Sequence, residues 1–354
     1  MFVAWRDLRF ARGRFALMGM VIVLITLLVG LLSGLTAGLA RENVSAVTGL
    51  PADRLAFAAL PPGRPVSFTD SVLPEEAWRT WARQPGVTAA RPLGIGTLDA
   101  VAGDRTAALS VFAAEPGAGI GPRSAELRPG KVVLAGPAAD DLGVRAGDRL
   151  RLGRLEVTVA AVAGDASYSH TPVVWTTLAD WRALGHTGAT VVVLRGEGID
   201  AAAGDRAAGT RSTTVDGALT AIGSYRAENG SLQLMRGFLF VISALVIGAF
   251  FTVWTIQRSA DVAVLKALGA STPYLLGDAL GQAALMLGGG ILLGSGLAVG
   301  VGALVGGGDV PFVLEPPTVL VPAAVMVVLG MLGAALSIRR ITAVDPLTAL
   351  GSVR

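Results

Sequence analysis

Four long stretches without a charged side chain constrain the fold of this chain more than any other feature of its sequence. They lie within 15–40, 237–257, 279–308 and 316–338, and they are rich in Leu, Val, Ile, Ala and Gly. About 20 helical residues cross a hydrocarbon core of about 30 Å, so each stretch is long enough to span a membrane. With 52% hydrophobic and 16% charged residues, the composition is also too apolar for an ordinary soluble protein. We therefore predict an integral membrane protein with four transmembrane helices.

A cleaved signal peptide is the alternative for the first stretch. Its apolar run is longer than a typical signal h-region, and no convincing small-x-small cleavage site ends it. We therefore favour a retained helix.

The leader at 1–14 places Phe2, Trp5 and Leu8 at helical spacing, with arginines on another face. This pattern is typical of an amphipathic helix that lies in the cytoplasmic interface of a membrane. A plain basic flank without a helix is the alternative.

The basic residues near the ends of the stretches predict the orientation in the membrane. Cytoplasmic segments of membrane proteins carry an excess of Lys and Arg. We therefore place both termini, the 258–278 loop and the tail at 339–354 in the cytoplasm of a bacterial cell, and the domain at 41–235 outside its plasma membrane. The residues that agree on this multi-pass topology are Arg6, Arg9, Arg12, Arg14, Arg258, Lys266, Arg339 and Arg340.

The segment at 41–235 differs in composition, since prolines, charges and turn residues return. The stretch at 73–83 predicts a helix, because Pro74 stands near its start and no glycine interrupts it. The stretch at 195–220 stays open between a loop and a weak helix. The predicted fold class is a membrane protein with four transmembrane α-helices and a large extracytoplasmic α+β domain between the first and second. Short apolar runs predict strands at 55–60, 107–113, 131–134, 155–162 and 190–194.

The predicted outer domain carries little of the chemistry that a catalytic site needs. The chain has no cysteine and only two histidines, His170 and His186, so it lacks thiolate sites and a histidine-rich metal cage. No H-E-x-x-H, G-x-S-x-G or EF-hand spacing occurs. The net charge of +3 gives no indication of a nucleic-acid partner. We predict no catalytic residue and no metal site, and His170 either bonds to its loop neighbours or contacts a ligand.

The glycines of the apolar stretches predict helix packing rather than a phosphate loop. Gly30, Gly34 and Gly38 recur every four residues and leave one stripe of the first helix bare. Such a stripe lets another helix approach closely, within the protomer or across a dimer. The glycines at 288–302 have neither the preceding strand nor the following lysine of a phosphate loop. The chain therefore has no nucleotide-binding loop of its own.

The cytoplasmic loop contains the most informative segment, 258–271. Ser259 can cap the start of a short helix, and Gly269 can end it. Asp261 in the first turn and Lys266 near the end complement the helix dipole. The pattern predicts a short, well-capped helix.

Val262, Leu265 and Leu268 fall three positions apart and give this helix an apolar stripe. A helix of about nine residues is roughly 14 Å long and marginally stable alone. It therefore packs against a cytoplasmic partner, or it rests on the membrane surface.

Three segments resemble the FtsX/MacB-like permeases of ABC transporters. The segment 258–271 resembles the signature R-x-x-E-[IV]-x-V-L-[RK]-A-L-G-A-[ST], with Asp261 in place of the usual glutamate. The segment 340–350 resembles the D-P-[ILV]-x-A-L ending, and 142–148 resembles a turn of the periplasmic core, lG-x-x-x-GD. The order of one span, an outer domain and three more spans is also similar to that of the family.

The resemblance implies a permease homodimer in membrane lipid, paired with two cytoplasmic ATPase subunits that bind ATP and Mg. This chain would hold no cofactor, and it would be no enzyme itself. Closure of the ATPases would be relayed along the helices to the outer domain. The implied ATPase-coupling residues are Asp261, Val262, Leu265, Lys266, Leu268 and Gly269, and a second cytoplasmic contact contains Asp345, Pro346 and Leu350.

The compact outer domain and the segment 225–229 resemble the DevC and haem-exporter (HrtB-type) branch. That resemblance implies export of a hydrophobic substrate such as haem, which enters from the outer leaflet near the outer ends of the first two spans. Glu228 and Arg226 are then candidate substrate-binding residues, and a solvated acid is the alternative for Glu228. We expect no histidine near the membrane. Met18 and Met20 lie at the cytoplasmic end of the first span, on the wrong side to join Glu228.

Two other functions stay open. One is a permease that moves no substrate and transmits force to an extracytoplasmic partner such as a cell-wall hydrolase. The other is a membrane-bound enzyme, which needs a catalytic cluster that the sequence does not show.

Single cysteines test the predicted topology, because the chain has none of its own. We expect an impermeant thiol reagent on intact cells to label Arg123→Cys and to leave Ala270→Cys unlabelled, since the bilayer shields the cytoplasmic loop. Labelling of both variants after permeabilisation is the control. Labelling of Ala270→Cys alone in intact cells contradicts the orientation.

Overall fold

The protein separates into two compact units. The helical unit comprises Met1–Gly38 and Ser231–Arg354, and the α+β unit comprises Leu39–Gly230. A computed structural model describes residues 12–61, 63–257, 264–266, 268–305 and 310–342.

Four helices are long and apolar enough to cross a membrane: α1, α7, α8 and α9. Together with the α+β unit, which lies between the first and second of them along the chain, they confirm the predicted fold class. The helices whose bounds the structure gives are α1 (Arg12–Thr48), α2 (Glu75–Trp81), α3 (Gly136–Leu142), α4 (Leu178–Ala183), α5 (Ala201–Ala208), α6 (Val215–Ala218), α7 (Gly223–Gln257), α8 (Thr272–Val305) and α9 (Pro316–Thr342).

The second long helix begins earlier than the apolar stretch that predicts it. α7 starts at Gly223, whereas the predicted span starts at 237. The intervening residues contain no proline and include several good helix formers, such as Glu228, Gln233 and Met235. Helical structure therefore continues through residues that the sequence assigns to the outer domain.

The glycine stripe of α1 packs against other parts of this chain. A Cβ atom at Gly30 would lie 2.7 Å from the Cβ of Ala298 in α8, so a larger residue would force the helices apart. Gly34 and Gly38 face Phe312 and Pro311, in the extended segment before α9. The predicted packing thus occurs within the protomer. Because the chain itself covers the stripe, a ligand site at the first span has to rest on other residues.

The α+β unit is built on a mixed sheet with the strand order β10-β1-β9-β2-β3-β8-β4-β6-β5, and β7 pairs with β8. Two pairs, β3 with β8 and β4 with β6, are parallel. The strand β2 is 16 residues long and joins the two halves of the sheet, since it pairs first with β9 and then with β3. The strands are β1 (Arg54–Ala58), β2 (Val87–Ala102), β3 (Arg105–Ala114), β4 (Lys131–Leu134), β5 (Arg149–Leu152), β6 (Leu155–Val162), β7 (Ser167–Tyr168), β8 (Thr171–Thr177), β9 (Val191–Gly196) and β10 (Thr210–Thr214).

All five predicted strands and the predicted helix at 73–83 are confirmed, as β1, β3, β4, β6, β9 and α2. The open stretch at 195–220 contains α5, β10 and α6. The long strand β2 escapes prediction because Pro92, Gly94 and Gly96 interrupt its apolar pattern.

A row of aromatic side chains in the core positions the β7–β8 hairpin. Phe57 meets Phe68 edge to face at 4.9 Å between ring centroids, and Phe68 meets Tyr168 at 5.6 Å. Phe112 contacts both Tyr168, at 5.6 Å, and Trp175, at 5.1 Å. Edge-to-face pairs contribute about 0.5–1.5 kcal/mol each beyond their burial. Tyr168 is therefore firmly held, and the turn that follows it starts from a fixed point.

The predicted end of the short helix within 258–271 is confirmed at Gly269, which has a left-handed φ of 94°. Its N–H donates to the carbonyl of Lys266 at 3.1 Å, and the N–H of Ala270 donates to the carbonyl of Leu265 at 2.9 Å. These two bonds form a Schellman motif, in which glycine adopts the left-handed conformation without strain.

Gly204 in α5 tests the packing of the α+β unit, because it lies against the ring of the fully buried Trp81. We expect Gly204→Ala to lower the melting temperature by several degrees in differential scanning fluorimetry, since overpacking costs about 1–3 kcal/mol. Gly230→Ala in α7 is the matched control: it has the same gain in helix propensity, but its Cβ meets open space. A melting temperature for Gly204→Ala at or above that of the control contradicts the packing.

Candidate functional site

A polar cluster within the α+β unit brings together residues that are distant in sequence. Glu228 in α7 lies against the His170 imidazole, with Nε2 at 2.9 Å from Oε2 and 3.1 Å from Oε1. Asn43 in α1 donates from Nδ2 to Oε2 of Glu228 at 3.2 Å. On the other side of the imidazole, Oε2 of Glu42 lies 3.7 Å from Nδ1. Together with Ser224, these residues are called the polar cluster below.

The tight turn between β7 and β8 presents His170 to the cluster. Ser169 and His170 have φ values of 51° and 63°, a left-handed conformation that is uncommon for residues other than glycine. The N–H of Ser169 donates to the carbonyl of Asn43 at 3.0 Å, and that of His170 to the carbonyl of Glu42 at 3.4 Å. The backbone of the turn is therefore held against α1 independently of the imidazole.

Asn43 is 1% exposed and links all three segments of the cluster. Its Oδ1 accepts a hydrogen bond from Oγ of Ser224, at the start of α7, at 2.6 Å. Oγ of Ser224 also lies 2.9 Å from Oγ of Ser169 in the turn. A buried polar group that loses its partners costs about 1–3 kcal/mol. Asn43 therefore fixes α1, α7 and the turn relative to one another.

The contacts decide which nitrogen of His170 carries a hydrogen. A carboxylate only accepts hydrogen bonds, so the Nε2 that faces Glu228 is the donor. Nδ2 of Asn43 also lies 3.0 Å from this Nε2, but two N–H groups cannot bond to each other. Asn43 therefore donates to Glu228, and the separation of 3.7 Å between Nδ1 and Glu42 is too long for a hydrogen bond.

Glu228 and His170 remain partly open to solvent, with side chains that are 44% and 32% exposed. Carboxylate oxygen and imidazole nitrogen are both common metal ligands. Among the residues that the structure describes, no group of three or more His, Asp or Glu side chains is arranged to hold a metal ion.

The sequence gives no sign that His170 touches Glu228, since the two are 58 positions apart. Arg226 is exposed, and within the described ranges its side chain makes no ion pair with Glu228. Residues two positions apart on a helix face different sides, which explains the separation. The structure thus gives Glu228 two partners, His170 and Asn43, that a sequence pattern cannot reveal.

The predicted ATPase-coupling residues are described in part. Leu265 and Leu268 expose 36% and 79% of their surface, and they flank Lys266 in a helical segment that ends at Gly269. These two residues of the apolar stripe are therefore unburied in the isolated chain. The remaining predicted cytoplasmic residues lie outside the described ranges: Phe2, Trp5, Leu8, Ser259, Asp261, Val262, Asp345, Pro346 and Leu350.

Two family models match this chain. The MacB-like periplasmic core domain matches residues 17–210, which is more than half of the chain. The FtsX-like permease C-terminal matches residues 234–346. The first range covers most of α1 and most of the α+β unit, and the second covers α8, α9 and most of α7.

Curated relatives include the putative hemin transport system permease protein HrtB of Staphylococcus epidermidis, 27% identical over 143 residues, 40% of this chain and 41% of that protein. The protein of the same name from Staphylococcus haemolyticus is 33% identical over 132 residues, 37% of each chain. The chain thus matches about two fifths of the length of these relatives.

Two solved structures are similar to parts of this chain. The extracellular domain of the noncanonic ABC-type transporter YknZ from Gram-positive bacteria has a TM-score of 0.36 and 13% identity, over 46% of this chain and 98% of that one. The periplasmic region of MacB from Actinobacillus actinomycetemcomitans has a TM-score of 0.36 and 11% identity, over 50% and 94%.

Proposed function

We propose a function that proceeds from one premise: this chain belongs to the FtsX-like permeases that carry a MacB-like periplasmic core domain. It is accordingly a multi-pass membrane permease of the ABC transporter type. The proposed function is export of a hydrophobic substrate such as haem from the outer leaflet of the plasma membrane. A homodimer of this permease works with two cytoplasmic ATPase subunits, which bind ATP and Mg and hydrolyse the ATP.

The contact between His170 and Glu228 is the main support for this substrate class. Haem iron is already held by its porphyrin, so it needs only one or two protein ligands. An imidazole and a carboxylate 2.9 Å apart, both partly exposed, meet that need. The aligned part of the relatives named as hemin transport permeases supports the same class of cargo.

The polar cluster has to open before Glu228 binds iron. Both carboxylate oxygens face His170, and one also accepts from Asn43, so the ligand replaces a contact that is already made. Ser169 and His170 hold a left-handed backbone that costs on the order of 1–3 kcal/mol per residue. A rearrangement of this turn frees Glu228 and relieves that strain in one step. Arg226 is exposed nearby in α7 and can pair with a haem propionate.

Leu265 and Leu268 are the proposed contact with the ATPase. Both are unburied, and the Schellman motif at Gly269 gives their helix a defined end. A marginal helix with an exposed apolar stripe is stabilised when a partner covers the stripe. Asp345, Pro346 and Leu350 are proposed as a second contact on the same partner.

A second candidate function is transmission of force to an extracytoplasmic partner, such as a cell-wall hydrolase, without a transported substrate. It is favoured by the same cluster, because Asn43 ties α1, α7 and the β7–β8 turn together through buried hydrogen bonds. This function predicts ATP hydrolysis that is insensitive to haem, and a protein bound to the α+β unit. Export predicts haem-dependent hydrolysis in the absence of such a protein.

Leu268→Asp tests the proposed ATPase contact. Desolvating an unpaired carboxylate costs several kcal/mol, so we expect at least a tenfold loss of ATPase binding in a co-purification or affinity measurement. Val162→Asp, which puts the same charge on an exposed apolar residue of β6, is the matched control. If complex assembly and stimulated hydrolysis both survive in Leu268→Asp, the helix is not the docking element.

Glu228→Gln tests the proposed substrate site, because it keeps the shape of the side chain and removes the charge. We expect weaker protection of cells against haem, and a lower ratio of haem-stimulated to basal ATP hydrolysis in the reconstituted complex. Glu76→Gln, an exposed carboxylate in α2, is the control and should behave like the parent. Parent-like behaviour of Glu228→Gln removes Glu228 from the site, and a parent without any haem response removes haem from the proposal.

A further inference from the structure

A cavity of about 520 Å³ opens in the α+β unit, and none of its lining residues belongs to the polar cluster. Its walls come from β2 around Ile95–Thr97, the loop from Phe68 to Val72, and the segment from Gly185 to Thr190 after α4, together with Tyr168 and Trp181. Cavities of about 300–1,000 Å³ are typical of sites that enclose a small ligand or cofactor. The size therefore fits a compact molecule rather than a protein segment.

His186 stands at this cavity with its ring face supported. It stacks on Trp181 with ring centroids 3.7 Å apart and 9° between the planes. The indole of Trp181 packs directly against two glycines of β2. A Cβ atom added at Gly94 would lie 2.7 Å from the indole, and one added at Gly96 would lie 2.9 Å from it. Because the face of the imidazole is covered by Trp181, the ring is held in one plane. The two nitrogens, on the edge of the ring, are the atoms that a ligand can use.

The distance to Gly96 shows in which direction the nitrogen-bearing edge of His186 points. A Cβ atom at Gly96 would lie 4.0 Å from Cε1 of His186, the ring carbon between the two nitrogens. The Cε1 edge therefore faces β2, which forms one wall of the cavity. Among the described residues, neither ring nitrogen of His186 has a hydrogen-bond partner of the kind that His170 has in Glu228.

The surroundings keep the imidazole neutral. Burial, and then the nearby positive charge of Arg154, lower the pKa of His186 below its usual value. A neutral imidazole has a nitrogen lone pair that can bind a metal. Burial also raises the pKa of the Tyr168 phenol, so this lining residue stays uncharged. No Asp, Glu, Lys or Arg lines the cavity, which leaves an apolar and hydroxyl-rich wall.

We infer that this cavity is a second haem-binding position, with His186 as an axial ligand of the iron and Arg154 as a partner of a propionate. The inference rests on the proposed function for haem as the cargo. Nε of Arg154 donates to the carbonyl of Ala183 at 2.8 Å, which anchors the guanidinium beside Gly185 at the cavity wall. Among the described residues, its other N–H groups have no hydrogen-bond partner, so they can pair with a carboxylate. The polar cluster and this cavity are thus two binding positions for the same haem cargo.

The donor set distinguishes haem from other ligands. A bare cation needs several oxygen or nitrogen ligands, and the cavity offers one imidazole and no carboxylate. A porphyrin supplies four ligands to its iron and needs one more from the protein. Of the apolar residues that line the same space, Val72 is 58% exposed and offers the flat face of the porphyrin an apolar contact. One histidine, an apolar wall and one neighbouring arginine are therefore sufficient to bind haem.

Absorbance titration of the full-length protein with hemin, in lipid nanodiscs, tests this assignment. The titration uses the His170→Ala background, which removes the imidazole of the polar cluster. There we expect a shifted Soret band typical of histidine ligation, and His186→Gly in the same background should lose it with at least a tenfold weaker affinity. Added imidazole should restore the band in His186→Gly, because it can fill the space on Trp181. Glu76→Gln in the same background, which changes an exposed carboxylate of α2, is the control and should keep the band.

The outcomes separate this inference from the proposed function. A band that survives in His186→Gly in the His170→Ala background, or one that is already absent from His170→Ala alone, overturns the second position. The second position is also overturned if hemin gives no histidine-type band in the parent while haem still stimulates ATP hydrolysis, and the proposed function then stands. Absence of both the band and the stimulation overturns both.

Discussion

One buried amide holds together the part of the α+β unit on which the candidate site depends. The side chain of Asn43 bonds to Ser224 and Glu228 of α7, and its carbonyl accepts from the turn that carries His170. At 1% exposure no water replaces a lost partner, so each contact is worth more than it would be at the surface. A displacement of α1, α7 or the turn therefore alters the hydrogen bonds that hold the other two. The chemistry of Glu228 and the mechanics of the two helices share the same hydrogen bonds.

Close packing of side chains against glycines is the second constraint. In both units it is possible because glycine has no side chain. In the helical unit, Gly30 admits Ala298 of α8 against α1. In the α+β unit, Gly94 and Gly96 admit the indole of Trp181, which in turn supports His186. Small residues are expected where helices pack in a membrane, but inside a strand they weaken the sheet. The glycines of β2 are therefore best explained by the ring that they seat.

The sequence predicts those features that depend on local pattern. Uncharged stretches reveal the four long helices, short apolar runs reveal five strands, and Gly269 reveals the end of the short helix that precedes α8. Prediction from sequence fails where a distant residue compensates for a locally unfavourable one. The glycines of β2 weaken the strand locally, and only the packing of Trp181 against them explains their presence. The partner of Glu228 is missed for a related reason. His170 reaches it through a left-handed turn held by α1, and no periodicity encodes such a contact.

The two candidate functions are linked by the site rather than opposed to each other. A ligand that takes Glu228 must displace His170 or Asn43, and the lost bonds are those that join α1 to α7. Coupling of this kind is reciprocal. If ligand binding at Glu228 weakens the connection between α1 and α7, a movement that weakens this connection strengthens ligand binding by the same free energy. Force transmitted along α1 and α7 would therefore change the affinity at Glu228, and cargo at Glu228 would change the resistance to that force. A permease with this cluster can transmit force without a cargo, but it cannot bind a cargo at Glu228 without affecting the connection between its first two long helices.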